Sequence, residues 1–175
     1  LTEEQIERQI NTNLMGVLWV TKAFIPYFRE KQGGLFISTT SMGGLLAFPL
    51  HSIYHAAKFA IEGWSESMSF ELGLHNIRIK TIAPGAIATD FTGRSLAKAT
   101  HAEYQSLEDK LFSNVEAMMA QATSAEQIAA LVYEAVTDGK DQVRYLAGPD
   151  AEAIYKRRLE IGSEAFRKEI RDQFI

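Results

Sequence analysis

Cysteine is absent from all 175 positions of the sequence, which excludes disulfide bonds and thiolate chemistry. The absence fits a reducing compartment, and we expect a cytoplasmic protein. Long hydrophobic runs are lacking too, because the most apolar stretch, 14–25, is interrupted by Gly16, Thr21 and Lys22 and falls short of the ~20 residues of a membrane span. The opening LTEEQIERQI is acidic and amphipathic, unlike a signal peptide. We therefore expect no membrane partner.

An excess of positive charge is also missing. The net charge is −4 and the pI is near 5.6, so neither nucleic acid nor an anionic membrane is expected as a partner. The short basic run 156–158 is flanked by glutamates and is interpreted as a solvated helix face. His51 and His55 have helical spacing but lack the H-E-x-x-H pattern and a third ligand. We interpret them as ordinary residues at a helix start and predict no metal site.

Hydrophobic periodicity predicts alternating helices and strands. One long amphipathic helix is expected over 1–32, with Thr2 as its N-cap and a kink or irregular last turns at Pro26. Further helices are predicted over 52–74 and 124–136 and from Asp150 onwards, with a loop and helix region up to about 119. Strands are predicted at 35–39, 78–83 and 143–147, the first of them covered on both faces. This order predicts an α/β fold with a mostly parallel sheet.

Two tyrosines precede a lysine by four residues, in the pairs Tyr27–Lys31 and Tyr54–Lys58. With six tyrosines in the chain, about 0.3 such pairs are expected by chance, so the spacing alone decides nothing. We interpret Tyr27–Lys31 as a ring on the core beside a solvated ammonium.

The surroundings of Tyr54 are more specific. Ser41 lies thirteen residues upstream in the segment STTSMGG, and Asn13 lies in the helical run N-L-M-G. Downstream, a predicted strand ends in P-G-A-I-A-T, from Pro84 to Thr89. In this combination the sequence resembles the short-chain dehydrogenase/reductase family in its non-extended branch, strongly over 11–91 and loosely elsewhere.

The resemblance implies the C-terminal part of a doubly wound, mostly parallel Rossmann-type sheet with helices on both faces. Residues 1–175 would form one partial domain of this kind. It further implies an oxidoreductase that transfers a hydride between NAD or NADP and a small-molecule alcohol or ketone. In the family, the helices equivalent to the first two here form a four-helix bundle, so a homodimer or homotetramer is expected.

The chemistry explains the choice of residues. A tyrosine hydroxyl has a reference pKa near 10, too high for an efficient base at neutral pH. Lys58 projects from the same helix face as Tyr54, and its charge, together with an oxidised nicotinamide ring, would lower that pKa. The resemblance implies that Lys58 also binds the nicotinamide ribose and that Ser41 holds the substrate oxygen.

Two of the matching pieces have plainer alternatives. Asn13 could simply be hydrogen-bonded in the core, whereas the resemblance implies that it holds a water in a proton relay. Pro84-Gly85 could only terminate a strand. In the family this loop lies over the nicotinamide, with the backbone near Ile87 and the hydroxyl of Thr89 contacting the carboxamide.

The glycine-rich turn that normally holds the pyrophosphate in this family is missing, because no G-x-x-x-G-x-G occurs in the sequence. We therefore expect about 90–110 preceding residues in the intact protein. Without them, the strand 35–39 would be an exposed sheet edge, and the fragment would bind dinucleotide weakly or not at all. The alternative function is a non-catalytic scaffold that keeps the fold.

Overall fold

The sheet consists of three parallel strands in a computed structural model that describes residues 1–90, 99–113 and 115–175, with 116–118 described in their backbone only. The strands are β1 (Gly34–Thr39), β2 (Ile77–Pro84) and β3 (Arg144–Ala147), and β2 lies in the middle. Gly34 lies opposite Ile77 in the first pair, and Thr81 lies opposite Arg144 in the second. The predicted α/β class with a parallel sheet is confirmed.

The chain begins with the predicted long helical run, which has three parts: α1 (Glu3–Ile10), a π-helical segment (Asn11–Met15) and α2 (Gly16–Glu30). Thr2 caps α1 as predicted and forms a capping box with Gln5. The irregularity falls on the π-helical segment and not on Pro26, since α2 continues through Pro26 to its end. Pro26 removes one backbone hydrogen bond, to the carbonyl of the exposed Lys22, which water can replace.

The remaining helices follow the predicted order with one difference at the C-terminus. They are α3 (Ser52–Gly73), α4 (Gln105–Phe112), α5 (Val115–Ala120), α6 (Ala125–Thr137), α7 (Pro149–Ile161) and α8 (Ser163–Phe174). The single helix predicted from Asp150 onwards is wrong, because two helices meet at Gly162. Its φ of 82° is a conformation that glycine adopts without steric cost.

Helices cover both faces of the sheet. On β2, Ile77 and Ile79 join a buried cluster with Leu72 of α3, whereas Ile82 joins a cluster with Ala135 of α6. The odd-numbered and even-numbered residues of a strand point to opposite faces, so these two clusters lie on opposite sides. No helix among the described residues has the length and apolar character to cross a bilayer.

Strand β1 forms one end of the sheet that the described residues build. Phe36 packs on the cluster that contains Leu72 of α3, and Ile37 packs on the cluster that contains Ala135 of α6, so both faces of β1 are covered as predicted. The side chains from Leu35 to Ser38 are nevertheless only partly buried, because β2 is the one strand that pairs with β1 among the described residues.

Candidate active site

Ser41 lies just beyond the carboxyl end of β1. Its Oγ accepts a hydrogen bond of 3.0 Å from the backbone N–H of Gly43 and so caps the short 3₁₀ turn Met42–Gly44. The preceding Thr40 is tied to the neighbouring strand, since its N–H donates to the Ile82 carbonyl at 2.7 Å. The strand end and the turn together hold the Ser41 side chain in place.

Tyr54 projects from the first turn of α3, and its hydroxyl lies close enough to the side chain of Ser41 for the two groups to interact. Burial raises the pKa of Tyr54 above its ordinary value, and the interaction with the Ser41 hydroxyl offsets only part of this increase. The sequence predicted a lowered pKa of Tyr54 in the presence of an oxidised nicotinamide ring. In the protein alone the direction is opposite, because desolvation of the phenolate outweighs the stabilising contacts.

Lys58 lies one turn further along α3, with its Nζ 5.7 Å from the centroid of the Tyr54 ring. The ammonium donates a hydrogen bond of 3.2 Å to the carbonyl of Thr39, the last residue of β1. Burial lowers the pKa of Lys58, and the negative charge of Glu62 partly opposes this effect. The fold thus brings Ser41, Tyr54 and Lys58 together, as expected from the sequence.

Asn13 lies in the π-helical segment, which packs against α3. Its side-chain nitrogen donates to Gln9 twice, to the backbone carbonyl at 3.2 Å and to Oε1 at 2.7 Å. The amide is partly buried. Asn13 therefore has local hydrogen bonds of the kind that the plainer interpretation expected, while its position against the helix of Tyr54 leaves the relay interpretation open.

The loop from Pro84 to Thr89 begins where β2 ends. Strands β1 and β2 are adjacent and parallel, so this loop and Ser41 lie at the same edge of the sheet, where ligands of open α/β sheets bind. Its middle is fastened by a bridge between Ile87 and Thr123. Thr89 is exposed.

Asp150 holds the first part of this loop, and sequence reasoning did not identify it. Its carboxylate accepts a hydrogen bond of 2.7 Å from the N–H of Ala86. A Cβ atom on Gly85 would lie 2.0 Å from the Asp150 carboxylate, so this position requires glycine for close approach. The G-P-D sequence after β3 was the available signal, since aspartate is favoured in the first turn of a helix.

Two further residues of α3 have contacts that the sequence did not reveal. His55, interpreted as an ordinary helix-start residue, is buried and bonds with both ring nitrogens to the loop after Ser41. Glu62 is 2% exposed and accepts a hydrogen bond of 2.8 Å from Nε of Arg144. Glu62 lies one helical turn after Lys58 and His55 lies directly after Tyr54, but the partners of both residues lie outside α3.

The second tyrosine–lysine pair has similar internal geometry in a different setting. The Nζ of Lys31 lies 5.6 Å from the ring centroid of Tyr27, close to the value for the first pair. Tyr27 is 53% exposed, so the prediction that its ring lies on the core is wrong. The distance between ring and ammonium therefore does not define a site, and the contact with Ser41 distinguishes Tyr54.

Comparison with known proteins supports the resemblance. The family model for short chain dehydrogenase matches residues 1–100, more than half of the chain. The chain therefore belongs to the short-chain dehydrogenase family. It is 40% identical over 147 residues to an uncharacterized oxidoreductase from Schizosaccharomyces pombe, covering 84% of this chain and 62% of that protein.

Solved structures show the same fold. A short-chain dehydrogenase from Streptomyces avermitilis superposes with a TM-score of 0.79 at 25% identity, covering 98% of this chain and 61% of that one. A short chain dehydrogenase from Burkholderia cenocepacia in complex with NADP gives a TM-score of 0.72 at 21% identity, covering 97% and 60%. The chain thus spans about three fifths of the length of these relatives.

Proposed function

We propose that the full-length protein is an NAD(P)-dependent oxidoreductase that interconverts an alcohol and a carbonyl compound, with Tyr54 as the general acid and base. The observation that carries the proposal is the joint geometry of three side chains. The Ser41 side chain lies beside the Tyr54 hydroxyl, and the Lys58 ammonium lies 5.7 Å from the centroid of the same ring. A phenol, a hydroxyl donor and a cation at the carboxyl edge of a parallel sheet match the needs of carbonyl chemistry.

Tyr54 would transfer the proton. The raised pKa keeps its hydroxyl protonated at neutral pH, so in the reducing direction Tyr54 donates a proton to the carbonyl oxygen. In the oxidising direction Tyr54 accepts the proton of the alcohol, and the nearby positive charge of Lys58 stabilises the phenolate that this step requires.

Ser41 would hold the substrate oxygen. Its Oγ already accepts from Gly43, so its hydroxyl hydrogen is available to donate to Tyr54 or to a substrate oxygen. A donor placed in advance where negative charge develops lowers the barrier of such a step.

The residues at this edge suit the nicotinamide half of NAD or NADP, which supplies or accepts the hydride when bound. The Lys58 ammonium has three donors and uses one on Thr39, which leaves two for ribose hydroxyls. The loop with Pro84, Gly85, Ile87 and Thr89 would contact the carboxamide. The Burkholderia relative was solved with NADP, which supports the choice of cofactor.

Asn13 would complete the proton path. Its amide nitrogen donates to Gln9, which leaves the amide oxygen available to accept from a water molecule. Such a water would connect the Lys58 ammonium with bulk solvent.

The test is oxidation of NADH and NADPH by the full-length protein with a panel of ketones and aldehydes. We expect Tyr54→Phe to lower kcat by roughly 10²–10⁴-fold, the usual contribution of a general acid. Tyr27→Phe is the matched control, because this exposed ring has the same spacing to a lysine, and we expect unchanged kcat. Equal activity of the Tyr54→Phe variant and the wild type would refute the proposal and favour a non-catalytic scaffold.

We also propose that the protein is a homodimer or homotetramer that associates through α2 and α3. Exposed aromatic side chains support this, with Trp19 57% and Phe24 52% exposed on α2 and Phe70 74% exposed on α3. Exposed apolar surface of this kind often marks a contact with another protein. Sedimentation of the full-length protein tests the proposal, and a monomer would contradict it.

A further inference from the structure

His55 directly follows Tyr54 on α3 and is 7% exposed. Its Nδ1 lies 2.7 Å from the carbonyl oxygen of Gly43, and its Nε2 lies 2.9 Å from the backbone nitrogen of Phe48. A carbonyl only accepts, so Nδ1 carries the hydrogen, and a backbone amide only donates, so Nε2 accepts. Both bonds form together only in the neutral imidazole protonated at Nδ1.

Gly43 connects this ring to Ser41. The carbonyl of Gly43 accepts from His55, while its N–H donates to the Oγ of Ser41 at 3.0 Å. A Cβ at position 43 would lie 3.0 Å from Nδ1 of His55 and 3.2 Å from Cε1 of Tyr54. Gly43 is therefore packed between the two rings, and its orientation depends on where the imidazole lies.

The other end of the loop is held at Phe48. Its N–H donates to His55, and its side chain packs on a buried cluster of Leu46 with Phe166 and Ile170 of α8. The imidazole thus joins two points of the segment that follows Ser41, at Gly43 and at Phe48. Burial and the neighbouring His51 lower the pKa of His55, and the hydrogen bond to the Gly43 carbonyl partly opposes this effect.

We propose that His55 is a positioning residue whose neutral ring braces the segment 43–48 and thereby directs the Ser41 hydroxyl towards Tyr54. The inference rests on the proposed function, in which Ser41 holds the substrate oxygen. His55 does not touch the substrate and acts through Gly43 alone.

Substitutions of His55 can test its hydrogen bond to Gly43 separately from its hydrogen bond to Phe48. Asparagine can place an N–H donor near the position of Nδ1 and so retain the bond to Gly43. Glutamine can place an acceptor near Nε2 and so retain only the bond to Phe48, whereas leucine retains neither. Because Ser41 is held through Gly43, His55→Asn should preserve activity better than His55→Gln.

Steady-state kinetics of the full-length protein with a carbonyl substrate from the panel tests this order. We expect His55→Leu and His55→Gln to lower kcat roughly tenfold or more, as misplacement of a contact group does. His55→Asn should retain most of the wild-type kcat. The KM for the dinucleotide should stay unchanged, since Lys58 and the loop after β2 are untouched. His51→Asn is the control, because within the described part of the chain that ring has its one hydrogen bond with the nearby Pro49 carbonyl, and we expect kcat within about twofold.

A measurement on the wild-type protein determines the tautomer of His55 without relying on the activity of any variant. Long-range ¹⁵N–¹H spectra of ring-labelled histidine identify the tautomer of each of the four histidines, and His51→Asn and His55→Asn assign the signals. We expect His55 to be neutral with its hydrogen on Nδ1. A hydrogen on Nε2 would overturn the inference, as would full kcat in a folded His55→Leu variant while Tyr54→Phe is inactive. Activity in Tyr54→Phe would instead refute the proposed function.

Discussion

Removal of the Glu62 carboxylate should be among the most destabilising single changes on α3. The carboxylate is buried and accepts hydrogen bonds from three side chains, two of them on strands and the third just beyond the end of a strand. Thr40 donates from just beyond β1, Thr81 donates from β2 at 3.1 Å, and Arg144 donates from β3 at 2.8 Å. Glu62 therefore joins α3 to every strand of the sheet in the described part of the chain.

The magnitude follows from the groups that would be left without a partner. Loss of one member of a buried ion pair costs about 3–5 kcal/mol because the other charge stays desolvated. The Arg144 side chain is 29% exposed and can be rehydrated, which favours the lower limit. The two hydroxyls can rotate to other acceptors, so for Glu62→Ala we expect a loss of about 3 kcal/mol in the free energy of unfolding.

Glu66→Ala is the matched control. Glu66 also contacts Arg144, at 3.5 Å, but its side chain is 61% exposed. An exposed pair of this kind contributes at most about 1 kcal/mol. The two variants thus remove the same chemical group from the same arginine, but the Glu62 carboxylate is buried and also bonded to Thr40 and Thr81, whereas the Glu66 carboxylate is exposed.

Urea unfolding of the full-length protein at pH 7, followed by circular dichroism, compares the two variants with the wild type. In a thermal scan, a loss of 3 kcal/mol corresponds to a decrease in Tm of about 6–12 °C for a domain of this size. Equal losses for Glu62→Ala and Glu66→Ala would refute the argument, because burial would then make no difference.

Two further predictions concern other buried polar groups. Tyr145→Phe should lower the free energy of unfolding by about 1–2 kcal/mol, since its hydroxyl accepts from the buried Lys80 and donates to Asp138. The control is Tyr133→Phe, at a side chain that is 70% exposed, which should change the free energy of unfolding little. A similar loss in both variants would contradict this prediction. The lowered pKa of His55 means that the unfolded chain binds a proton more readily at this residue, so its contribution to stability falls as the pH decreases below about 6.5. Urea midpoints at pH 7.5 and 5.5 should therefore differ less in His55→Asn than in the wild type, and an equal difference would show that this ring does not cause the pH dependence.

Local sequence patterns predicted the elements that depend on local interactions. The N-cap at Thr2 and the start of α6 after Ser124 follow from side-chain bonds within one helical turn. The proximity of Lys58 to Tyr54 follows from the α-helical repeat alone. The same repeat produced an almost identical distance in Tyr27–Lys31, so this local rule could not distinguish a site from a surface pair.

Other local features were missed because their signals are weak. A π-helical segment has no sequence signature among the rules for helices, and Asn11–Met15 reads like the α-helix around it. Gly162 was present as a possible helix terminator, but glycine within a charged, periodic stretch is also tolerated in a helix. The positive φ at this residue is what separates α7 from α8.

By itself, the sequence determined the α/β class, the order of its elements and the spacing of Ser41, Tyr54 and Lys58, because periodicity and strand ends are encoded in neighbouring residues. Tertiary structure alone decided the partners of His55 and Glu62. The carboxylate of Glu62 meets Arg144 across 82 positions of the chain, and the imidazole of His55 meets a loop that precedes its helix. Such contacts exist only once α3 has packed against the preceding turn and the sheet, since a buried polar group takes its partner from whatever the packed elements place beside it.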